Sequence, residues 1–421
     1  MKSLLAAILA APLCALPVQA QTSSPCAGGD VLTLDEALAD AGVTTPLTQA
    51  AEAGVWAAQA GRTVAELRPN PSVSVNTENA LGTGPYRGFD ESDTTIAFVM
   101  PVELGGKRSA RVAVADARIQ RAHVDLAVAE ADRRYAVTGA YVAAIASERR
   151  ATVAETQVTI TTENLRIARD RVMVGANSPI DEQRAVLEQI RATTEAETAR
   201  RTATAARVAL AQYVGDGAGS ALDQRWFDLA VARAQGPRGL VDASGTLALA
   251  AAAADAASAE AELRLARSQR APDITLTAGT RRLEASNDQA MVFGVSVPLP
   301  LFNGGKAAVT QAARERDRAE AQRRIALFEA ERAIVAAEAD RDRAATAVRA
   351  SEPALTAATE AARIARIGYA EGKFDQLILL DAERTLLDIR RAGIDALATY
   401  HDAAARLERL AAKLPIEGGI Q

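Results

Sequence analysis

The chain has 421 residues, 49% of them hydrophobic but only 4% aromatic, and alanine is by far its commonest residue. Hydrophobicity spread over small side chains suits long, closely packed helices better than one thick core of large residues. A net charge of −5, with 24% charged residues of both signs, argues against extended disorder and against a nucleic-acid binder, which carries a basic patch or stripe. His123 and His401, the two histidines, read as surface residues outside any ligand-spaced cluster, so no catalytic residue, cofactor or metal site is expected.

In chain order, residues 1–20 read as a secretory signal peptide. Lys2 is followed by the apolar run from Leu4 to Leu16 and by Val18-Gln19-Ala20, a small-residue cleavage pattern. Removing Lys2 takes the net charge from −5 to −6. Cys14 would be lost with this leader, and Cys26 alone cannot form an internal disulfide. Leu13 and Pro25, the residues before the two cysteines, do not suit lipid attachment at either. Residues 21–45 form an N-terminal segment. Past residue 20, no stretch is long and apolar enough for a membrane-spanning helix.

Internal repetition then dominates. Pro71-Ser-Val-Ser-Val75 is echoed by Pro272-Asp-Ile-Thr-Leu276, and Pro101-Val-Glu-Leu-Gly-Gly-Lys107 by Pro300-Leu-Phe-Asn-Gly-Gly-Lys306. Ile167-Ala-Arg169 before Gly175 is echoed by Ile364-Ala-Arg366 before Gly372. The separations are 201, 199 and 197 positions, in the same order, which marks a twofold duplication. The first repeat spans 46–213: a helix, a strand pair over 72–103 and a long helical hairpin over 107–213. Residues 214–245 form an equatorial linker. The second repeat spans 246–414, with a helix, a strand pair over 272–301 and a hairpin over 306–414, and 415–421 is a short tail.

The strand assignments rest on alternation. Val73, Val75 and Thr77 face away from Ser72, Ser74 and Asn76, and Ile96, Phe98, Met100 and Val102 repeat the pattern. So do Ile274, Leu276 and Ala278, and then Met291, Phe293, Val295 and Val297. After each Gly-Gly-Lys the pattern turns helical. Lys107 to Val174 contains no proline and one interior glycine, Gly139, enough for roughly 100 Å of helix. Breaks at Gly175-Ala-Asn-Ser-Pro179 and Gly372-Lys-Phe-Asp375 are stop-and-restart signals.

Each strand segment is long enough to cross a bilayer at a tilt. Four such strands cannot close a barrel, for which about eight are needed, and open edges are not tolerated in lipid. Strands that enter the membrane must therefore be completed by other copies of the chain. A soluble coiled-coil scaffold, with the alternating segments in an ordinary half-buried sheet, is the competing reading of the pattern.

Arg68-Pro-Asn-Pro71, Glu78-Asn79, Gly82-Thr-Gly84 and Glu103-Leu-Gly-Gly-Lys-Arg108 resemble the cobalt–zinc–cadmium branch of the TolC-like outer membrane factors, along nearly the whole chain. The resemblance implies a mainly α fold with a small transmembrane β part. Four strands per chain would complete a trimeric twelve-stranded barrel above a periplasmic helical barrel, in the outer membrane of a Gram-negative bacterium. It further implies a passive exit duct for heavy-metal cations, set in outer-membrane lipid. Its partners would be a periplasmic adaptor and an inner-membrane resistance-nodulation-division pump. A duct for drugs or secreted proteins, or a pore-less periplasmic adaptor or scaffold, remain the alternatives.

The family closes its tunnel near the tip with a tyrosine, an arginine and aspartates. Carried over residue by residue, the tyrosine falls on Tyr369 and the aspartates on Asp381 and Asp181. Two positions depart from the pattern: Phe374 stands where the arginine would be, and Ile378 replaces a second ring aspartate. The lock is then looser, or built from Lys373 and Asp375. Gly175, Asn177, Ser178 and Pro179, with Gly372 and Phe374, are the expected adaptor contacts, besides making the turns.

Overall fold

The computed structural model describes residues 31–41, 46–229 and 242–414. The expected signal peptide, both cysteines, most of the N-terminal segment and the final tail lie outside the described residues, as does the middle of the linker.

A strand of two residues, β1 (Val31–Leu32), leads into α1 (Leu34–Asp40) and α2 (Pro46–Glu66). The first strand pair is β2 (Ser72–Glu78) and β3 (Asp93–Val102), and the first hairpin is α3 (Lys107–Met173) and α4 (Pro179–Val214). β4 (Ala221–Leu222) and α5 (Gln224–Asp228) lie between the halves. The second half repeats the grammar with α6 (Leu247–Ser268), β5 (Ile274–Leu283), β6 (Asp288–Ser296), α7 (Lys306–Ala370) and α8 (Gln376–Ala411). α3 has 67 residues and α7 has 65, about 100 Å each. Pro353 does not interrupt α7. Gly106 and Gly305, each with a left-handed backbone, turn strand into helix at equivalent corners.

The hairpins are held by small side chains at coiled-coil spacing. Ala185 of α4 packs with Leu165 and Ala168 of α3, and Ala192, seven residues on, is also buried. Ala358, Ala362, Ala365 and Tyr369 of α7 meet Leu379 and Leu386 of α8. Alanine at these positions lets the backbones approach closely. Between the hairpins, α8 lies along α3, tied by Arg150–Asp395 (2.5 Å), Arg134–Glu408 (3.1 Å) and Arg409–Asp132.

The four long strands form one antiparallel sheet in the order β2-β3-β5-β6. Its two faces differ. Val73, Phe98, Ala278 and Phe293 form one row across the sheet, and Val75, Ile96, Thr280 and Met291 the next. The opposite face carries Ser74, Ala97, Gly279 and Val292, then Asn76, Thr95, Arg281 and Ala290. Most of the large apolar residues of the first face are exposed, an arrangement suited to hydrocarbon rather than water. Gly279 is required where β3 and β5 press together, since a side chain there would strike the Ile96 carbonyl. Among the described residues, no helix is long and apolar enough to cross a membrane.

The largest buried cluster lies midway along the hairpins. β1 pairs in parallel with β4, and the Tyr141 hydroxyl donates to the Leu32 carbonyl (2.7 Å) while accepting from the Asp223 amide (3.0 Å). His401 is buried here, which corrects its expected surface position. α5 lies across α8, stacking Trp226 on the imidazole (4.1 Å between ring centres) and placing Nε2 2.9 Å from the Phe227 carbonyl oxygen. Histidine on an alanine-rich helix gives no sequence sign of an aromatic segment folding over it. His123 is exposed.

Candidate functional site at the hairpin tips

Both hairpins turn at their far ends with the same backbone device. Gly175 (φ +73°) and Gly372 (φ +77°) take the left-handed conformation that ends each descending helix. The Arg171 carbonyl accepts from the amides of Ala176 and Asn177, and the Gly368 carbonyl accepts from those of Lys373 and Phe374. The ascending helices are capped by Ser178, which accepts from the Ile180 amide (3.4 Å), and Asp375, which accepts from the Ile378 amide (3.0 Å). Pro179, at the first helical position of α4, needs no amide partner.

Asp181 completes a capping box. Its carboxylate accepts from the Ser178 amide (3.3 Å) and from the Asn177 side chain (3.2 Å), with Arg184 at 3.7 Å. Its backbone carbonyl accepts from the Gln376 side chain (2.9 Å), which joins the first hairpin to the second. Tyr369 is 1% exposed, packed among Ala365, Leu379, Ile167 and Ala382. Arg171 crosses from α3 to meet it: one guanidinium nitrogen donates to the Tyr369 carbonyl (2.6 Å), and the group lies 4.8 Å from the ring centre. The Tyr369 hydroxyl and Gln376 Oε1 are buried without a hydrogen-bond partner among the described residues. Burial pushes the Tyr369 phenol above its usual pKa; Arg171 opposes that shift and Asp181 adds to it.

The tip residues read from the sequence therefore fall into three places. Asp181 and Tyr369 lie at the seam between hairpins, bridged through Gln376 and Arg171, while Gly175, Ser178, Pro179 and Gly372 are exposed in the turns and Asn177 is half-buried against Asp181. Phe374 folds back, half-buried, onto Gly368, where any side chain would collide with its ring. Asp381, one turn up α8, is exposed and has no ion pair or hydrogen bond among the described residues. Lys373 pairs with Glu371 (2.6 Å), and Asp375 serves as a helix cap.

Sequence reasoning missed Arg171, Gln376 and the bridge from Arg384 to Glu188 that continues the tie between α8 and α4. It also missed the buried Glu383, which pairs with Arg366 inside the second hairpin. A signal existed for Arg171: it occupies the position of Gly368 in the repeat and so breaks the symmetry there. Among the described residues, no group of three or more His, Cys, Asp or Glu side chains is placed to hold a metal ion.

An open sheet with an apolar face, carried on two very long helical hairpins, defines one subunit of an outer-membrane channel. The chain belongs to the outer membrane efflux protein family, whose model matches residues 33–216 and 244–413. It is 28% identical over 383 residues to the cobalt-zinc-cadmium resistance protein CzcC of Cupriavidus metallidurans, covering 90% of each chain. It is also 28% identical over 275 residues to the nickel-cobalt-cadmium resistance protein NccC of Alcaligenes xylosoxydans xylosoxydans, covering 64% of this chain and 61% of that one. Its fold is shared by the outer membrane protein VceC of Vibrio cholerae, with a TM-score of 0.73 and 20% identity over 91% of this chain and 97% of that one.

Proposed function

We propose that this protein is the exit duct of a tripartite efflux system and carries heavy-metal cations out across the outer membrane. The similarity to CzcC along nine-tenths of both chains carries the reading. The apolar sheet face and the two open strand edges support a barrel completed by three copies, with the helices forming a periplasmic tunnel. Residues 46–213 and 246–414 act as two repeats about an equatorial linker, 214–245. The partners are a periplasmic adaptor and an inner-membrane resistance-nodulation-division pump, which supplies the energy; the duct itself is passive. A strain lacking the gene, challenged with cobalt, zinc, cadmium, nickel and hydrophobic drugs, tests the cargo. Sensitivity to metals alone is the expected result, and sensitivity to drugs alone overturns it.

Gly175, Asn177, Ser178 and Pro179, with Gly372 and Phe374, form the adaptor-facing turns. Asp381, Asp181 and Tyr369 belong to the gate just above them. Asp181 and Tyr369 work through the seam between hairpins, whereas Asp381 is free to face the axis. Three such carboxylates converging on an axis repel each other and attract cations. Asp381→Ala is expected to raise basal conductance in planar bilayers, or to weaken block by divalent cations. An unchanged conductance and an unchanged block would make it an ordinary surface charge.

A further inference from the structure

The apolar face of the sheet ends abruptly. Along β3 the outward series runs Val102, Met100, Phe98, Ile96 and then Thr94, and along β6 it runs Val295, Phe293, Met291 and then Gln289. Arg282 of β5 lies between Thr94 and Gln289, so the polar change falls on one row across the sheet. That row is next to the turns at 79–92 and 284–287, at the end opposite the corners where α3 and α7 begin. With the helices in the periplasm, it marks the external border of the hydrocarbon.

β5 is also the shallow strand of this face. Ala278 lies between Phe98 and Phe293, and Thr280 between Ile96 and Met291, so small side chains form a floor flanked by large ones. Phe98 is 49% exposed and Phe293 75%. A depression of about 440 Å³ results, walled by Phe98 and Met100 of β3 and by Phe293 and Val295 of β6, with Leu276 and Ala278 beneath. Thr280 continues the floor to Arg282, four residues or about 13 Å from Ala278.

The Arg282 side chain is exposed and is held from the turn side. Its Nε lies 2.8 Å from Glu284 Oε1, while Nη2 donates to Glu284 Oε2 (3.3 Å) and to Asn287 Oδ1 (3.1 Å). Nη1 has no hydrogen-bond partner among the described residues. An exposed ion pair contributes little by itself, whereas a guanidinium edge suits phosphate oxygens. A trough sized for a hydrocarbon chain that runs up to a cation at the outer border fits one chemistry, an acyl chain joined to a phosphate.

Resting on the reading that this sheet spans the outer membrane with its turns outward, we propose that β5 carries a binding site for lipid A, the phosphorylated, acylated anchor of the outer leaflet. One acyl chain lies over Ala278 and Thr280 between the two phenylalanines, and a phosphate accepts from Nη1 of Arg282. The position of Arg282 at the external border selects lipid A over the phospholipids of the inner leaflet. β3, β5 and β6 belong to one chain, so every copy holds a complete site.

Native mass spectrometry of the detergent-purified, delipidated protein titrated with lipid A measures the site. Arg282→Gln, and Ala278→Phe, which fills the trough, are each expected to weaken binding about tenfold, as loss of one charged hydrogen bond or of part of the buried chain does. Arg281→Gln is the control. It removes the same charge one residue away, but Arg281 faces the other side of the sheet, where its Nε donates to Thr95 Oγ1 (2.9 Å), and binding is expected to stay unchanged. Equal weakening by the two arginine variants, or unchanged binding in either Arg282→Gln or Ala278→Phe, overturns the site. The same spectra give the mass of each assembly, and Ala278→Leu replaces the phenylalanine variant where that one does not assemble. Phosphatidylglycerol, with one phosphate, is expected to bind more weakly, and equal binding overturns lipid A as the ligand. Planar-bilayer conductance of the same preparations keeps the two readings apart. A conducting protein without the site fails this proposal alone, whereas a parent that does not conduct fails the channel reading.

Discussion

Arg171 in the first hairpin stands at the repeat position that Gly368 holds in the second, and Val172 at that of Tyr369. The turns around them have the same left-handed glycine, the same doubly accepting carbonyl and the same capped restart. Duplication has kept the backbone while the side chains took different tasks. The first turn sends an arginine outward to grip its neighbour. The second gives up the side chain at that position, which leaves room for Phe374 to fold back, and offers Tyr369 to be gripped. Arg169 and Arg366 are also equivalent, yet their partners differ. Arg169 reaches the partly exposed Glu182 (3.1 Å), whereas Arg366 meets Glu383, whose side chain is 3% exposed, at the position where the first hairpin has Val186. One hairpin is tied to its neighbour and the other is braced within itself.

The largest effect is expected where that brace is cut. Glu383→Ala leaves Arg366 without its carboxylate and opens a gap between α7 and α8. The expected loss is about 2–3 kcal/mol, below that of a fully enclosed pair because Arg366 can still reach water. Glu182→Ala, the matching change in the first hairpin, is expected to cost about 0–1 kcal/mol, as exposed pairs do. Urea unfolding of the two variants, followed by the helical circular dichroism signal, measures the difference. Equal losses would mean that the two arginine pairs are equivalent despite their burial.

Next in size is the tie itself. Arg171→Ala removes a charged hydrogen bond to the Tyr369 carbonyl and the contact with its ring, worth about 1–2 kcal/mol at a half-buried site. Because this tie joins the hairpins, the variant is also expected to show higher basal conductance in planar bilayers than the parent. Val172→Ala, beside it but outside the tie, is the control and is expected to leave conductance unchanged. Destabilisation without any change in conductance would make Arg171 a packing residue only.

Much of this was legible before any coordinates. Pro71, Pro272 and the two Gly-Gly-Lys runs punctuate the strand pairs and hairpins, because proline and left-handed glycine restrict the backbone locally. Alternation such as Val73, Val75 and Thr77 identifies strands for the same local reason. The side chains that work between distant segments were less legible. Arg171 reaches Tyr369 nearly two hundred positions away, and His401 is covered by α5 from the linker. Neither contact leaves a mark on spacing or periodicity, because each depends on which helix faces settle against each other. Val297–Leu301 shows the converse: the sequence pattern there is strand, but a strand needs a neighbour, and among the described residues no strand lies beyond β6.

The smallest effect tests what Tyr369 does at the seam. Its hydroxyl is buried with no hydrogen-bond partner among the described residues, so Tyr369→Phe removes an unsatisfied polar group and leaves the packing and the Arg171 tie in place. At neutral pH the stability is therefore expected to stay within about 0.5 kcal/mol of the parent, or to rise slightly. The alkaline side should separate the two proteins. Since burial raises the phenol's pKa, the folded chain holds its proton more tightly than the unfolded chain does. The stability cost is absent below the ordinary tyrosine pKa of about 10 and grows as pH rises above it, because the unfolded state then ionises first. The phenylalanine variant should consequently lose less stability than the parent between neutral and strongly alkaline pH. Tyr141 and Tyr135, also raised by burial, keep part of that alkaline limb in both proteins. If Tyr369→Phe instead destabilises the assembled protein at neutral pH by as much as Arg171→Ala does, the hydroxyl is bonded to a group that one chain lacks. Tyr369 would then be a contact between copies as well as between hairpins.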